Sequence, residues 1–318
     1  MQTLQEELKK FMERRGISQN KLAKSLPFSP AKLSQWMNGS YPVKDRNKIK
    51  DIEDAVKNYL AIETARLEDK NGSTIIPFIP HVNYRIFNEI ATLCHHYCEI
   101  GVLCGQPGVG KTMSAKKYTE QHPDVIYIIA DQSFTTKVIF KTIYNALGGS
   151  ELLGIHDLIE WIKDKLVNSK RLIIIDQAEY LPNRALDLIR TLHDKCLDDN
   201  NKGTIGILLT GLPILKENLK GLNNQFAQLY QRISWYRKIG NMKDQQGMTM
   251  DITDEDVKTF VSSVFPEVNG EIKFFKELSK SNPRVLSRLI DRSKRICEMN
   301  NAKLNIDIIR EAAKTIII

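Results

Sequence analysis

The sequence predicts an α/β protein. Its centre reads as a parallel sheet with helices on both faces, flanked by an N-terminal all-α domain and a C-terminal helical lid. Three observations carry this. Apolar, β-branched runs alternate with helical patterns between Tyr84 and about residue 240. A glycine-rich loop of phosphate-binding spacing follows the first run. Both flanking blocks show helical periodicity and no strand pattern.

The strand-like runs are Ile100–Cys104, Val125–Ala130, Leu172–Ile175, Ile205–Thr210 and Ile233–Ile239. Helical stretches fall near 111–121, 136–147, 155–168, 183–197 and 213–219. Continuous apolar strands separated by helices mean a parallel sheet buried on both sides. Right-handed crossovers make it a doubly wound layer. Ligands of such sheets bind beyond the carboxyl ends of the strands. The expected division is an N-terminal helical domain at 1–67, a linker at 68–83, a core at 84–240 and a lid at 241–318. The linker expectation rests on Asn71-Gly72-Ser73 followed by Pro77 and Pro80.

Composition narrows the class. The chain has 318 residues, 42% hydrophobic and 26% charged, as ordinary folded protein does. Lys plus Arg is 46 against 38 Asp plus Glu, a net charge of +8, which favours a polyanionic partner. Five cysteines (Cys94, Cys98, Cys104, Cys196, Cys297) have no framework spacing, so free thiols in a reducing cytoplasm are expected. No apolar run reaches the length of a membrane span, and the charged start lacks a signal peptide's apolar stretch. Membrane, secreted and disulfide-stapled classes are therefore set aside.

The phosphate-loop motif is Gly105-Gln106-Pro107-Gly108-Val109-Gly110-Lys111-Thr112, with Met113 following. It sits between a predicted strand and a predicted helix, the context this motif requires. Its glycines let backbone N–H groups turn inward on phosphate oxygens, and the helix adds its positive N-terminal end. Lys111 would reach the β- and γ-phosphates of ATP, and Thr112 would hold Mg²⁺ through its hydroxyl. The third strand ends at Asp176, an acid placed to meet Mg²⁺ or its water. Gln177 follows, and its amide can orient water but not accept a proton usefully; Glu179 is the alternative base. Slow intrinsic hydrolysis is expected for that reason. Thr210 ends the fourth strand and is a candidate γ-phosphate sensor or a plain strand-end threonine. Arg232 has two readings, a finger reaching a neighbouring subunit's nucleotide or a surface cation. Asn282-Pro283-Arg284 opens a helix in the lid, from which Arg284 could close over the phosphates.

The N-terminal block predicts two short helices joined by a tight turn, a helix-turn-helix. Ser18 would cap the first, with Leu22, Ala23 and Leu26 apolar. Ser29 would cap the second, with Pro30 at its first position and Leu33, Trp36 and Met37 buried. That helix would present Lys32, Ser34 and Gln35 outward, beside Lys44, Arg46 and Lys48. Residues 1–50 hold 11 Lys/Arg against four acids (Glu6, Glu7, Glu13, Asp45), so most of the chain's charge excess sits on the segment shaped for a DNA groove. A small helical domain used for protein contacts is the competing reading. Cys94 and Cys98 share one helical face with His95 and His96 between them, but no second ligand pair has matching spacing, so a packed helix is preferred to a zinc site. Neither a G-x-S-x-G elbow nor an H-E-x-x-H motif occurs.

Taken together, the helix-turn-helix, Cys104 through Thr112, Asp176 through Leu181, Ile205 through Gly211 and the helical block at 251–318 resemble the AAA+ ATPases. Within them the chain is similar to the phage Mu transposition protein B family. The resemblance implies ATP bound with Mg²⁺ between subunits, a homo-oligomeric filament on double-stranded DNA with little sequence preference, and recruitment of an integrase-like transposase that stimulates hydrolysis and disassembly. It implies that Gly105, Gly108, Gly110, Lys111 and Thr112 bind ATP and Mg²⁺. Asp176 would hold the metal, Glu179 or Gln177 would position water, and Arg232 and Arg284 would sense subunit and lid. Family geometry would put DNA contacts on loops of the core, with Thr135, Thr136 and Lys137 as candidates. An ATP-switched transcription regulator and a secretion- or pilus-type ATPase are the competing functions.

Overall fold

Five strands run parallel: β1 (Ile100–Gly105), β2 (Val125–Ile129), β3 (Leu172–Asp176), β4 (Gly206–Gly211) and β5 (Ile233–Lys243). A short β6 (Thr249–Met250), which the sequence pattern did not announce, pairs antiparallel on the edge of β5. The order across the sheet is β2-β3-β4-β1-β5-β6. The computed structural model describes residues 4–15, 17, 19–23, 26, 28–41, 49–60, 76–221, 227–243, 249–268 and 270–316.

Alternation along each strand divides the sheet's two faces. Ile100, Val102, Cys104, Ile173, Ile175, Ile207 and Leu209 point to one side. There they meet α7 (Thr136–Ala146), α8 (Ile155–Leu166) and α9 (Asn183–Lys195) through Ile139, Phe140, Ile162, Leu186 and Ile189. Leu103, Val125, Leu172, Ile174 and Leu208 point to the other side. They meet α5 (Val82–Tyr97) and α6 (Lys111–Gln121) through Phe87, Ile90, Ala115 and Tyr118. Each such buried side chain contributes about 1.5–3 kcal/mol of transfer free energy. Both faces are therefore covered, which is why the strands read as unbroken apolar runs. Two short helices, α10 (Ile214–Lys220) and α11 (Ala227–Arg232), join β4 towards β5.

The C-terminal layer is α12 (Asp254–Ser262), α13 (Ile272–Ser279), α14 (Pro283–Asn300) and α15 (Ile306–Lys314). Thr253 and Asp256 form a reciprocal capping box on α12, and Asn282 caps α14 with Pro283 at its first position. The layer's core is Val257, Phe260, Val261, Phe275, Leu286, Leu289, Ile290 and Ile309.

Residues 76–83 differ from the linker expectation. Ile79 is buried in the core of the C-terminal layer, His81 and Asn83 are buried, and α5 begins at Val82. The prolines signal extended backbone there, and extended backbone can pack as well as span. The remainder, 68–75, lies outside the described residues.

By contact density the chain divides into Met1–Ile75 and Ile76–Ile318. In the first unit α1 (Leu4–Arg15), α2 (Gln19–Ala23), α3 (Pro30–Met37) and a helix α4 over 49–60 surround one core. Leu22, Ala23, Leu26, Leu33, Trp36 and Met37 are buried there as their spacing predicts, together with Leu8, Ile52, Val56 and Leu60. Ser29 caps α3 by accepting from the Lys32 N–H. Lys32 and Gln35 are exposed and Ser34 is half-buried. Ser18, Lys44, Arg46 and Lys48 lie outside the described residues. No helix among the described residues is long and apolar enough to cross a membrane.

Candidate nucleotide-binding site

The carboxyl ends of β1, β3 and β4 meet at one edge, and their termini supply the site. Beyond β1 the loop turns through Gly108 (φ +84°) and Gly110 (φ +104°) into α6. Both angles lie in the left-handed region that favours glycine. At Gly108 a Cβ would also sit 2.5 Å from the Asn282 Oδ1, so the residue is held small by the lid as well as by its backbone. Gln106 and Pro107 are exposed, Val109 is buried and Met113 is exposed at the start of α6.

Lys111 folds back over the loop. Its Nζ donates to the Gly105 carbonyl at 2.7 Å and to the Gln106 carbonyl at 3.1 Å. Burial lowers its pKa, and the charges of Asp176 and Glu179 work against that lowering. The ammonium thus sits where incoming phosphate oxygens would take over from weaker carbonyl acceptors.

Asp176 is fully buried and is the hub of the site. Its Oδ2 accepts from Thr112 Oγ1 at 2.5 Å and from the Tyr127 hydroxyl at 3.4 Å. Its Oδ1 accepts from Thr210 Oγ1 at 2.6 Å and from the Gln177 N–H at 3.0 Å. Thr112 and Asp176, far apart in the chain, therefore present adjoining hard oxygen ligands, the donor type Mg²⁺ takes. Thr210 is also fully buried, and its hydroxyl is spent on holding Asp176. Tyr127 was not legible in the sequence, where it reads as one more strand residue. Burial, then the Asp176 charge, raises its pKa, so it stays a donor.

Gln177 takes a left-handed conformation (φ 56°) at the turn out of β3. Glu179 lies in the following 3₁₀ turn, Ala178–Tyr180. Its Oε2 accepts from the Leu212 N–H at 3.1 Å, which ties it to the end of β4. Arg232, at the end of α11, pairs through Nε with Asp194 Oδ1 at 3.2 Å and is half exposed. Thr135 caps α7 by accepting from the Val138 N–H; it and Lys137 are exposed, and Thr136 is half-buried.

Two further elements grip the loop. Arg284, second residue of α14, donates its backbone N–H to the Gly108 carbonyl at 3.2 Å, and Asn282 Nδ2 donates to the Pro107 carbonyl at 2.9 Å. Asn83, fully buried in α5, donates to the Val109 carbonyl at 3.1 Å and accepts from the Gly240 N–H at 3.1 Å, bridging the loop and β5. His81 lies against Gly110 and 5.9 Å from the Phe260 ring of α12. Burial depresses its pKa to about 4, so the ring is neutral at pH 7. Asn83 and His81 fall in or beside a stretch that reads as linker, so no periodic signal marks them. The cap at Asn282 is legible in sequence; its reach to Pro107 is not.

Comparison with known proteins agrees with this geometry. A family model described as an AAA domain matches residues 94–219. The Mu-like prophage FluMu DNA transposition protein B of Haemophilus influenzae is 24% identical over 293 residues, 86% of this chain and 94% of that protein. The ATP-dependent target DNA activator B of Escherichia phage Mu is 26% identical over 234 residues, 67% of this chain and 65% of that protein. Among solved structures, the Aeropyrum pernix ORC2 protein in ADPNP–ADP complexes matches with a TM-score of 0.53 at 13% identity, over 73% of this chain and 66% of that one, which shows a shared fold. Fold and site define a P-loop protein of the AAA+ class, a fold that implies ATP binding. Within that class the chain is similar to transposition proteins of the phage Mu B type.

Proposed function

We infer that the protein is an ATP-dependent DNA-binding ATPase of DNA transposition. It assembles on double-stranded DNA as a homo-oligomeric filament, with little sequence preference, and recruits or activates an integrase-like transposase. Hydrolysis then drives disassembly. The observation that carries this reading is the direct tie between phosphate loop and lid, Asn282 to Pro107 and Arg284 to Gly108, around a Thr112–Asp176 pair. A lid hydrogen-bonded to the loop itself feels what occupies the loop, which is what an assembly switched by nucleotide needs.

The residues fit ATP and Mg²⁺. Lys111 would exchange two carbonyl acceptors for phosphate oxygens, and the backbone N–H groups of Gly108 to Thr112 would add donors. Mg²⁺ supplies charge neutralisation on the phosphates, and Thr112 and Asp176 would hold it. Thr210 and Tyr127 keep the Asp176 carboxylate in place. The same geometry supports the reading of slow turnover. Gln177 cannot take a proton, and Glu179 must share its carboxylate with the Leu212 N–H. Arg232 would have to leave Asp194 to reach a neighbouring subunit.

DNA affinity would come mainly from phosphate contacts and fall steeply with salt. Lys32, Ser34 and Gln35 of α3, Lys44 and Arg46 after it, and Thr135, Thr136 and Lys137 at the start of α7 are the proposed contacts. The chemistry belongs in the cytoplasm, where ATP and DNA meet. Electron microscopy of protein with duplex DNA, with and without ATP, tests the proposal. DNA-coating filaments that need ATP support it. A footprint confined to one operator would favour a transcription regulator, and no DNA binding would favour a secretion- or pilus-type ATPase.

A further inference from the structure

The end of α6 away from the phosphate loop holds a second cluster. His95 lies in the last turn of α5, His122 caps the C-terminus of α6, and Asp124 immediately precedes β2. One ligand atom from each of the three lies within 4.8 Å of the others. His95 Nε2 is 3.0 Å from Asp124 Oδ2. Two ligands on one cation, each about 2.1 Å from it, stand about 3.4 Å apart at the tetrahedral angle, so side-chain shifts of about 1 Å would bring the three atoms into shared coordination.

The surroundings hold the rings in place. His95 Nδ1 lies 3.2 Å from the hydroxyl of Tyr118, a nearly fully buried residue of α6. In one tautomer Nε2–H donates to Asp124 and the Tyr118 hydroxyl donates to Nδ1; in the other the Nδ1 proton is directed at Tyr118 and the Nε2 lone pair is free to ligate an ion, the outer-partner arrangement that metal-binding histidines use. His122 stacks on the same Tyr118 ring, centroids 4.2 Å apart and planes 27° from parallel. The Tyr118 phenol, its pKa raised by burial, remains a neutral partner. One side chain therefore orients both imidazoles. His95 and His122 are half-buried while Asp124 is about half exposed, so an ion would have a route in from solvent.

The cysteines that prompted a zinc reading of this helix take no part. Cys94 and Cys98 are buried, and Cys94 Sγ lies so close to Gly101 that a Cβ there would sit 2.2 Å from it. The ligand set comes instead from the two helix ends and the turn into β2, which share no sequence spacing.

We propose that His95, His122 and Asp124 bind one divalent transition-metal ion of the zinc class. Two imidazoles and a carboxylate suit a borderline dication and leave a position for water. The oxygen-only pair at Thr112 and Asp176 suits Mg²⁺, so the two sites select different ions. Helix α6 spans 11 residues, about 16 Å, between the Lys111 end and the His122 end. An ion there would clamp α5 to α6 and so brace the helix that carries Lys111 and Thr112. The proposal rests on these side chains alone and stands whether or not the nucleotide reading does.

The test uses the full chain, stripped with a chelator and titrated with Zn²⁺ by calorimetry and with Co²⁺ by visible absorption. One ion per chain is expected, in wild type and in Lys111→Ala alike, with a Co²⁺ absorption band from nitrogen and oxygen ligands. In His122→Ala the affinity should fall by about a hundredfold or more, beyond the 10–100-fold typical of losing an outer partner. Asp124→Asn, a substitution at a half-exposed position that keeps the side chain's shape, should weaken uptake likewise while the far-ultraviolet circular dichroism stays unchanged. Absence of uptake by wild type at micromolar ion, or uptake undiminished in both variants, overturns the proposal.

Discussion

Asn282 donates its side-chain amide to the Pro107 carbonyl at 2.9 Å while its oxygen accepts from the Arg284 N–H at 3.0 Å. One side chain thus caps α14 and fastens the lid to the phosphate loop. The two roles separate by mutation. Asn282→Ala should lose the cap, about 1 kcal/mol, together with the tie to the loop. Asn282→Asp should recover the cap, because a carboxylate accepts the same N–H groups, but it cannot donate to Pro107. Urea unfolding should therefore rank Asp near wild type, whereas binding of a fluorescent ATP analogue should rank both variants below it. Equal analogue binding by all three proteins would show that the tie does not matter to the nucleotide.

Lys111→Ala removes the ammonium that bonds the loop carbonyls. A hydrogen bond to a charged group is worth about 1.5–3 kcal/mol, so ATP affinity should drop by roughly 10- to 100-fold or more. ATP-dependent assembly on DNA should vanish while the melting temperature without nucleotide changes little. DNA binding that is the same with and without ATP, in wild type as in the variant, would argue against a nucleotide-switched assembly.

Glu179→Gln keeps an oxygen for the Leu212 N–H, so the fold should be preserved. Loss of a proton acceptor should slow phosphate release by about 10²–10⁴-fold and lengthen the life of the ATP-bound assembly on DNA. Hydrolysis at the wild-type rate would remove Glu179 from consideration as the base.

His81 makes the fold sensitive to acid. Its pKa is about 4 when folded, against an ordinary 6.5, because burial penalises the charged ring. The unfolded chain therefore binds this proton first. The stabilising contribution is complete above pH 6.5 and is lost as pH falls towards 4, a change of about 3 kcal/mol. Thermal melts of the wild type should show this slope, and His81→Gln should flatten it. An identical slope in the variant would assign the acid sensitivity to other groups.

Much of this architecture can be read along the chain. All five parallel strands fall within a residue or so of their expected starts, because strands buried on both faces must be continuous apolar runs. β5 runs four residues past its expected end, to Lys243, where Gly240, Asn241 and Lys243 leave Met242 as the one apolar residue and no strand pattern. Lys111, Thr112 and Asp176 are legible because the loop and the strand-ending acid are local patterns. Tyr127, Asn83 and His81 are not, because each acts by its position across the sheet or against the lid, and an isolated tyrosine, asparagine or histidine carries no spacing.

Local chemistry settles which segments become strands and helices, where the glycines let the loop turn, and that a helix opened by the glycine-rich motif follows β1. Those properties depend on neighbours a few positions away, and the chain states them directly. Assembly in three dimensions settles the rest. It spends the Thr210 hydroxyl on Asp176, pairs Arg232 with Asp194, packs Ile79 into the lid's core and Asn83 between the loop and β5, and gathers His95, His122 and Asp124 at one end of α6. These partners are distant in sequence, and a side chain's hydrogen bonds are decided by what packing brings within reach.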